Sequence, residues 1–347
     1  MRRLVSVIGI LLLLFVGVGL YLGKRFYESA EEPYRGYTAS DVFVEIHRGT
    51  SSREIGRQLV SAGVIRDEWV FRLALWRSGL GEVLQAGEYR FFEAASASSV
   101  VDTLANGRVH LRAITFPEGL TISEMAQLFQ ESGFGSADSF LNASQRVELV
   151  ASWDPEAPSL EGYLFPETYS LPRGAIAEDL VAAMVAQFGR VFDDGLRQRS
   201  IERGLSVREV VTLASLIQKE TGLDRERPVV SAVYLNRLGR GMLLQCDPTV
   251  IYGLRLAGLY DGNLTRANLR FDSPYNTYVY PGLPPGPIAA PGAADLIAAV
   301  EPADVSYLYF VSRNDGSHVF ADTLREHNRN VRDYQVDYFR RRRGAGN

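Results

Sequence analysis

Ser206-Val207-Arg208-Glu209-Val210-Val211-Thr212-Leu213-Ala214-Ser215-Leu216-Ile217-Gln218-Lys219-Glu220-Thr221-Gly222 reads as a helix with one apolar stripe that ends in an acid. Ser206-x-x-Glu209 is a capping box at its start, and Gly222 stops it. Val210, Leu213, Ala214 and Ile217 fall on one stripe at helical spacing. Glu220 comes three residues after Ile217, on that same face. Glutamate is rarely buried without a partner, and burial raises its pKa. A carboxyl still protonated near neutral pH is what a general acid requires. The alternative is a terminal glutamate that turns to solvent or bonds its own helix end. Lys219 lies on another face and reads as a solvated charge.

On either side of this helix the pattern is mostly helical. Ile176 to Phe192 and Arg225 to Leu238 flank it, followed by a loop-rich region from Gly239 to Pro291 containing Pro284-Pro285-Gly286-Pro287. A loop-rich stretch of that length inside a domain is more often functional than decorative. Next come a short helix (Gly292 to Val300), a hairpin of Ser306 to Arg313 with His318 to Ala321, and a helix capped by Thr323-x-x-Glu326.

The N-terminal half carries a repeat. Val42, Val44 and Ile46 alternate as a strand, Gly49 turns, Ser51-x-x-Glu54 caps a helix, and Ile55, Leu59 and Gly63 follow. The unit recurs as Ile114 to Phe116, Gly119, Thr121-x-x-Glu124, Met125, Phe129 and Gly133. Between the copies lie a helix from Asp67 to Ser78, a strand at Gly87 to Phe91 and a helix from Ser98 to Asn106. Trp69, Phe71 and Trp76 are expected to pack this module's core. The βα pattern is similar to LysM-like carbohydrate-binding modules.

The whole chain has 347 residues, enough for two or three domains. Hydrophobic residues at 46% and charged residues at 22% exclude wholesale disorder and a multi-span membrane protein. A net charge of −4 gives no global positive field, so no nucleic-acid partner is expected. The single Cys246 excludes an intramolecular disulfide and a cysteine zinc cluster. His47, His110, His318 and His327 show no metal-ligand spacing, so no metal site is expected.

One local feature stands apart from this average. Leu4 to Leu22 carries no charge and as a helix would span about 28 Å, close to the bilayer hydrocarbon. The run exceeds a signal-peptide core of about 7–15 residues and no A-x-A site follows, which favours an uncleaved anchor. Arg2, Arg3, Lys24 and Arg25 flank both ends, so charge alone does not orient it. The short N-terminus places it inside the cytoplasm and the rest of the chain outside. Glu28 to Ser40 is polar, with Pro33 and Gly36, and reads as a linker.

Leu213 to Thr221 resembles the active-site stretch of the YceG-like (MltG) endolytic murein transglycosylases. The similarity continues through Val233-Tyr234-Leu235-Asn236-Arg237-Leu238 and Leu244-Gln245-Cys246-Asp247-Pro248-Thr249-Val250-Ile251-Tyr252-Gly253. It includes Ser273-Pro274-Tyr275-Asn276-Thr277-Tyr278, Gly282-Leu283-Pro284-Pro285-Gly286-Pro287-Ile288 and Tyr307 to Val311. Upstream, Glu161-Gly162-Tyr163-Leu164-Phe165-Pro166-Glu167-Thr168-Tyr169 fits as well. The family commonly reads Glu-Lys-Glu-Thr where this chain has Gln218-Lys219-Glu220-Thr221, which leaves the expected catalytic glutamate in place.

The resemblance implies an α+β protein in four segments. Residues 1–23 form the N-terminus and transmembrane anchor, and 24–40 a linker. Residues 41–158 form a LysM-like module with the internal repeat, and 159–347 a mixed α+β catalytic domain. It implies cleavage of the MurNAc–GlcNAc β-1,4 bond with 1,6-anhydro-MurNAc ends, Glu220 as general acid/base and no cofactor. The expected setting is a periplasmic body on the inner membrane, with nascent peptidoglycan strands as substrate and coupling to peptidoglycan synthases. Sugar sites combine aromatic faces with amide and carboxylate hydrogen bonds, which nominates Glu161, Gln245, Asp247, Asn276 and Tyr278. Structural alternatives stand beside them: Asp247-Pro248 suits an N-cap with a following proline, and Tyr278 suits a core. Two other functions remain open, a muramidase with Glu161 or Asp247 as second carboxylate, and a non-catalytic wall-binding scaffold.

Overall fold

Helix caps and turn glycines set the element boundaries in the computed structural model, which describes residues 2–81, 83–337 and 340, without the side chains of residues 2–11. Packing divides the chain into Met1–Ala113 with Ser170–Gly174, and Ile114–Tyr169 with Ala175–Asn347.

The first unit contains α1 (Arg2–Glu28), β1 (Val42–Ile46), α2 (Ser52–Ser61), α3 (Glu68–Ser78), β2 (Gly87–Phe91) and α4 (Ala97–Ala105). β1 and β2 pair antiparallel, with Val42 opposite Phe91 and Ile46 opposite Gly87. Strand alternation sends Val44, Ile46, Tyr89 and Phe91 into a core with Ile55, Leu59, Phe71, Val100 and Leu104. Ala30 belongs to that core, Tyr34 bridges to Ala95, and the Gly36 N–H donates to the Gly63 carbonyl at 2.7 Å. The polar stretch read as a linker therefore lies along the unit. Gly63 allows this approach: its φ is +71°, and an added Cβ would meet the Gly36 carbonyl carbon at 2.9 Å.

α3 corrects one expectation. Phe71 is fully buried, but Trp69 and Trp76 are 63% and 77% exposed. The helix buries Val70, Phe71 and Ala74. The two tryptophans are two turns apart on the opposite face, where the Arg72 guanidinium lies 4.7 Å from the Trp69 ring centre. Trp76→Ala is accordingly expected to change the unfolding free energy by no more than about 0.5 kcal/mol in denaturant titration. A loss several times larger would place it in the core.

The local repeat is present in conformation. Gly49, Gly63, Gly119 and Gly133 all have positive φ, at 84°, 71°, 80° and 72°. Thr121 and Glu124 form a complete capping box, whereas in the first copy Ser51 caps Glu54 N–H and the Glu54 carboxylate pairs with Arg57. The copies belong to different units. β3 (Leu111–Thr115), paired with β4 (Thr168–Pro172), leads into the second copy. Phe116 of that copy stacks on Phe140 and Phe129 packs tilted against it, at centroid distances of 6.0 and 5.4 Å. Packing thus divides the chain at different points from the expected segments 41–158 and 159–347.

The second unit holds α5 (Ile122–Glu131), α6 (Ala137–Ala143), α7 (Ala177–Val191), α8 (Asp194–Glu202), α9 (Val207–Glu220) and α10 (Arg227–Gly239). α11 (Asp247–Leu256), α12 (Ala293–Val300), the antiparallel hairpin of β5 (Tyr309–Ser312) and β6 (His318–Ala321), and α13 (Leu324–Val331) complete it. α9 is its central helix: every residue from Val210 to Ile217 is buried, and α8, α10, α11 and α12 pack around it. A helix apolar all round belongs inside a domain. Its buried Ser215 hydroxyl donates to the Thr212 carbonyl and accepts from Ile288 N–H, at 2.7 and 3.1 Å.

Among the described residues no helix is long and apolar enough to cross a membrane. The expected anchor, Leu4 to Leu22, falls partly on residues whose side chains lie outside the description.

Candidate active site

Glu220 occupies the last turn of α9, where Thr221 switches to extended backbone (φ −138°, ψ 135°). That switch ends the helix and leaves the carboxyl at the edge of the packed core. Tyr234 of α10, itself 1% exposed, donates its hydroxyl to Glu220 Oε1 at 2.9 Å. Cys246, also 1% exposed, lies beside the same carboxyl and draws its pKa down. Glu220 is half-buried, and its open edge forms part of the wall of a cavity of about 320 Å³.

Loss of hydration pushes the Glu220 pKa above the ordinary glutamate value, and the nearby Asp247 charge pushes it further. The Cys246 and Tyr234 side chains oppose this without cancelling it, as does His318 whenever its ring is protonated. The result is an acid that keeps its proton where an exposed glutamate would have lost it.

The cavity brings together Glu220, Gln245, Asp247 and Tyr278, along with Arg237, His318 and His327. Asp247 is the first helical residue of α11 and Pro248 the second, with Cys246 at the cap position. The aspartate is therefore not the expected N-cap. Its carboxylate instead accepts the Tyr278 hydroxyl at 2.6 Å. Gln245 has φ of 51°, a left-handed conformation uncommon outside glycine, and its N–H donates to the Thr277 carbonyl at 3.1 Å. Thr277 also accepts from Cys246 N–H and bonds the Thr249 hydroxyl, tying the Asn276–Tyr278 loop to the start of α11.

Two nominated residues lie elsewhere. Asn276 is fully buried and acts within its loop, donating to the Leu269 and Phe271 carbonyls and accepting from Tyr278 N–H. It reaches the cavity only through Tyr278. Glu161 is 6% exposed and is not part of the cavity wall. It accepts from the Ile122 N–H at 3.1 Å, one of the unpaired donors at the start of α5, and from the Tyr252 hydroxyl at 3.2 Å. Burial raises its pKa to about 8.

Position 218 faces a different cluster. Asp295 of α12 is fully buried, accepts from Arg227 Nε at 2.7 Å, and is pushed by burial to a pKa of about 6 against the pull of Arg227. With its amide nitrogen turned inward, Gln218 donates to Asp295 at 2.5 Å and to Glu118 at 3.3 Å. A carboxylate there would face two others. Gln218→Glu is expected to destabilise the fold by roughly 1–3 kcal/mol, more at high pH than at low pH, because a proton must be shared at the new contact. Unfolding titrations at several pH values measure this, and an unchanged stability would refute the arrangement. Lys219 is exposed, its ammonium donating to the Gly119 carbonyl at 3.1 Å.

No local pattern in the sequence marks Tyr234, Arg237, Glu226 or His318 as parts of the site. His318 has no metal-ligand spacing, and its partner Glu226 lies 92 residues away in the chain. Among the described residues no group of His, Cys, Asp and Glu has the arrangement of a metal site.

Comparison with known proteins places the chain in a family. The YceG-like family model matches residues 44–333. An endolytic murein transglycosylase of Bacillus subtilis is 31% identical over 92% of this chain and 91% of its own length. One from Streptococcus pneumoniae is 28% identical over 93% of this chain, which spans 63% of that longer protein. A crystal structure of a yceG-like protein from Listeria monocytogenes superposes with a TM-score of 0.56 at 30% identity, covering 84% of this chain and 99% of that one.

Proposed function

Because the chain belongs to the YceG-like family, we propose that it is an endolytic lytic transglycosylase of peptidoglycan with Glu220 as its catalytic acid. The observation that carries the assignment is Glu220 itself. It is a carboxyl of raised pKa on the wall of a cavity that also presents an amide, a carboxylate and a tyrosine.

Glu220 protonates the O4 leaving oxygen of the MurNAc–GlcNAc bond as it departs from C1. The MurNAc C6 hydroxyl attacks its own anomeric carbon and closes a 1,6-anhydro ring. The nucleophile belongs to the substrate, so water is not consumed and one protein acid suffices to begin the reaction. Mass spectrometry of murein digested by the full-length protein tests this. Anhydro-MurNAc ends are expected. Reducing MurNAc ends would identify a muramidase, for which Asp247 is the second carboxylate in the cavity. Binding without cleavage would identify a scaffold.

The setting is part of the same proposal. Leu4 to Leu22 anchors the chain in the inner membrane, and the body acts in the periplasm on nascent strands, ending their growth beside the synthases that extend them. The uncharged run and the continuous helix Arg2–Glu28 support the anchor. The strand, glycine turn and capped helix at Val42–Ser61 support a LysM-like glycan-holding role for the first unit. Membrane extraction tests the first, and murein pull-down by the full chain tests the second.

A further inference from the structure

A second proton-handling group stands in the cavity beside Glu220. His318 opens β6, and its side chain forms part of the cavity wall. Its ring is held from behind. Glu226, the residue before α10, accepts the His318 backbone N–H at 3.0 Å through Oε1 and ring Nδ1 at 2.8 Å through Oε2. The Thr221 hydroxyl donates to the same carboxylate at 3.3 Å. Thr221 directly follows Glu220, so one short stretch of chain fixes both the acid and the support of the imidazole. Phe310 meets the ring edge-on at a centroid distance of 5.4 Å.

This is a carboxylate–imidazole pair with a defined tautomer. Burial alone would raise Glu226, but the bonds from His318 and Thr221 hold it below the ordinary glutamate range, so it is an ionised acceptor. With the Nδ1 proton directed at Glu226, Nε2 holds the lone pair whenever the ring is neutral. Among the described residues no hydrogen bond to Nε2 competes for it. The remaining charged or titratable groups on the cavity are Glu220 from α9, Arg237 from α10, Asp247 and Tyr278 from the α11 region, and His327 from α13.

Glu220 is less free to take a second proton. Oε1 already accepts from Tyr234, and Cys246 lies beside the same carboxyl. What stays open addresses one substrate oxygen at a time.

We propose that His318, oriented by Glu226, is a second catalytic residue that accepts the proton of the attacking C6 hydroxyl while Glu220 gives its proton to the leaving O4. The inference rests on the transglycosylase reading above. The C6 oxygen forms its bond to C1 as its O–H bond breaks, and that proton goes to Nε2. The C1–O4 bond breaks with its electron pair on O4, which takes the Glu220 proton. The site is left with a Glu220 carboxylate and an imidazolium paired with Glu226. Return of one proton from His318 to Glu220 restores it, with no further reactant.

The test uses the full-length protein in detergent, murein as substrate, and the rate of anhydro-end formation as readout. His318→Ala is expected to lower kcat by about 10²-fold or more with KM little changed, and added imidazole to restore part of the loss. His318→Gln, which lacks a basic lone pair, is expected to be as slow. Glu226→Gln leaves the ring but removes its charged support, for an expected loss of about 10–100-fold. The substitutions are also expected to raise the share of reducing ends, because water then competes with an unassisted C6 hydroxyl. Wild-type kcat in His318→Ala, or a loss that imidazole does not relieve, overturns the proposal. Should His318→Ala fail to fold, wild-type kcat in Glu226→Gln overturns it instead. Reducing ends from the wild type would fail the transglycosylase reading separately, and total bond cleavage with and without imidazole would still decide whether His318 is a base.

Discussion

Glu220→Gln is expected to slow glycan cleavage by roughly 10²–10⁴-fold while leaving the fold intact. The amide keeps an oxygen for the Tyr234 hydroxyl, which now bonds Oε1 at 2.9 Å, so the packing beneath the site is retained. It cannot supply the proton that O4 needs. The wild-type rate should also carry the signature of a buried acid. Burial first, and the Asp247 charge second, raise the Glu220 pKa, so the protonated form persists above the ordinary glutamate range. The fraction of Glu220 able to give a proton is full below the raised pKa, so the rate should fall as pH rises through it. Rates of anhydro-end release across pH, with the melting temperature as control, check both parts. Cleavage by Glu220→Gln at the wild-type rate would remove Glu220 from the chemistry.

Glu161→Gln is expected to change how stability depends on pH, with little direct effect on the cavity. The Glu161 pKa is raised by burial from 4.5 to about 8, so between these values the folded protein binds a proton that the unfolded chain has lost. Unfolding free energy must then fall as pH rises through that window, by about 1.4 kcal/mol per unit at its steepest. Below the ordinary value both states are protonated, and above the raised one both are ionised, so the slope vanishes at each end. Glutamine does not titrate, and its carbonyl still accepts from Ile122 N–H or Tyr252. The substituted protein should therefore lose this slope and become the more stable of the two at alkaline pH. Denaturant unfolding below, within and above the window measures the difference. Parallel profiles would mean that Glu161 is ionised in the folded state.

Glu161 and Glu220 show what was legible in the sequence. Glu220 could be found because its signal is local: a capping box, an apolar stripe and a stop, all within one helix. Caps and turn glycines located most elements for the same reason. The family resemblance added Gln245, Asp247 and Tyr278, which the fold gathers around the same cavity. Glu161 belongs to a stretch that fits the family equally well, but fit alone does not separate a group facing a ligand from one satisfying a helix end. Asn276 is similar, since its bonds are to its own loop. Trp69 and Trp76, expected in the core, lie outward because the helix buries Val70, Phe71 and Ala74 on its other face. His318 and Glu226 were illegible because their contact joins the start of α10 to a distant hairpin. The α9 neighbours hide one more departure: a helix read as having one apolar stripe is buried on every side, because Val211 and Leu216 find partners that no pattern within the helix specifies.

The thiol beneath Glu220 gives the protein a built-in clock. Cys246 is the chain's single cysteine, 1% exposed, and burial and the neighbouring carboxyl raise its pKa well above the usual value. In the closed protein it is shielded from alkylating reagents in two ways, by lack of access and by lack of thiolate. Every labelling event must then await separation of α10 and α11 from the end of α9. With reagent in excess and reclosure fast, the labelling rate divided by that of a free thiol equals the fraction of time the floor of the site stands open. One residue thus reports how often the floor of the candidate site opens.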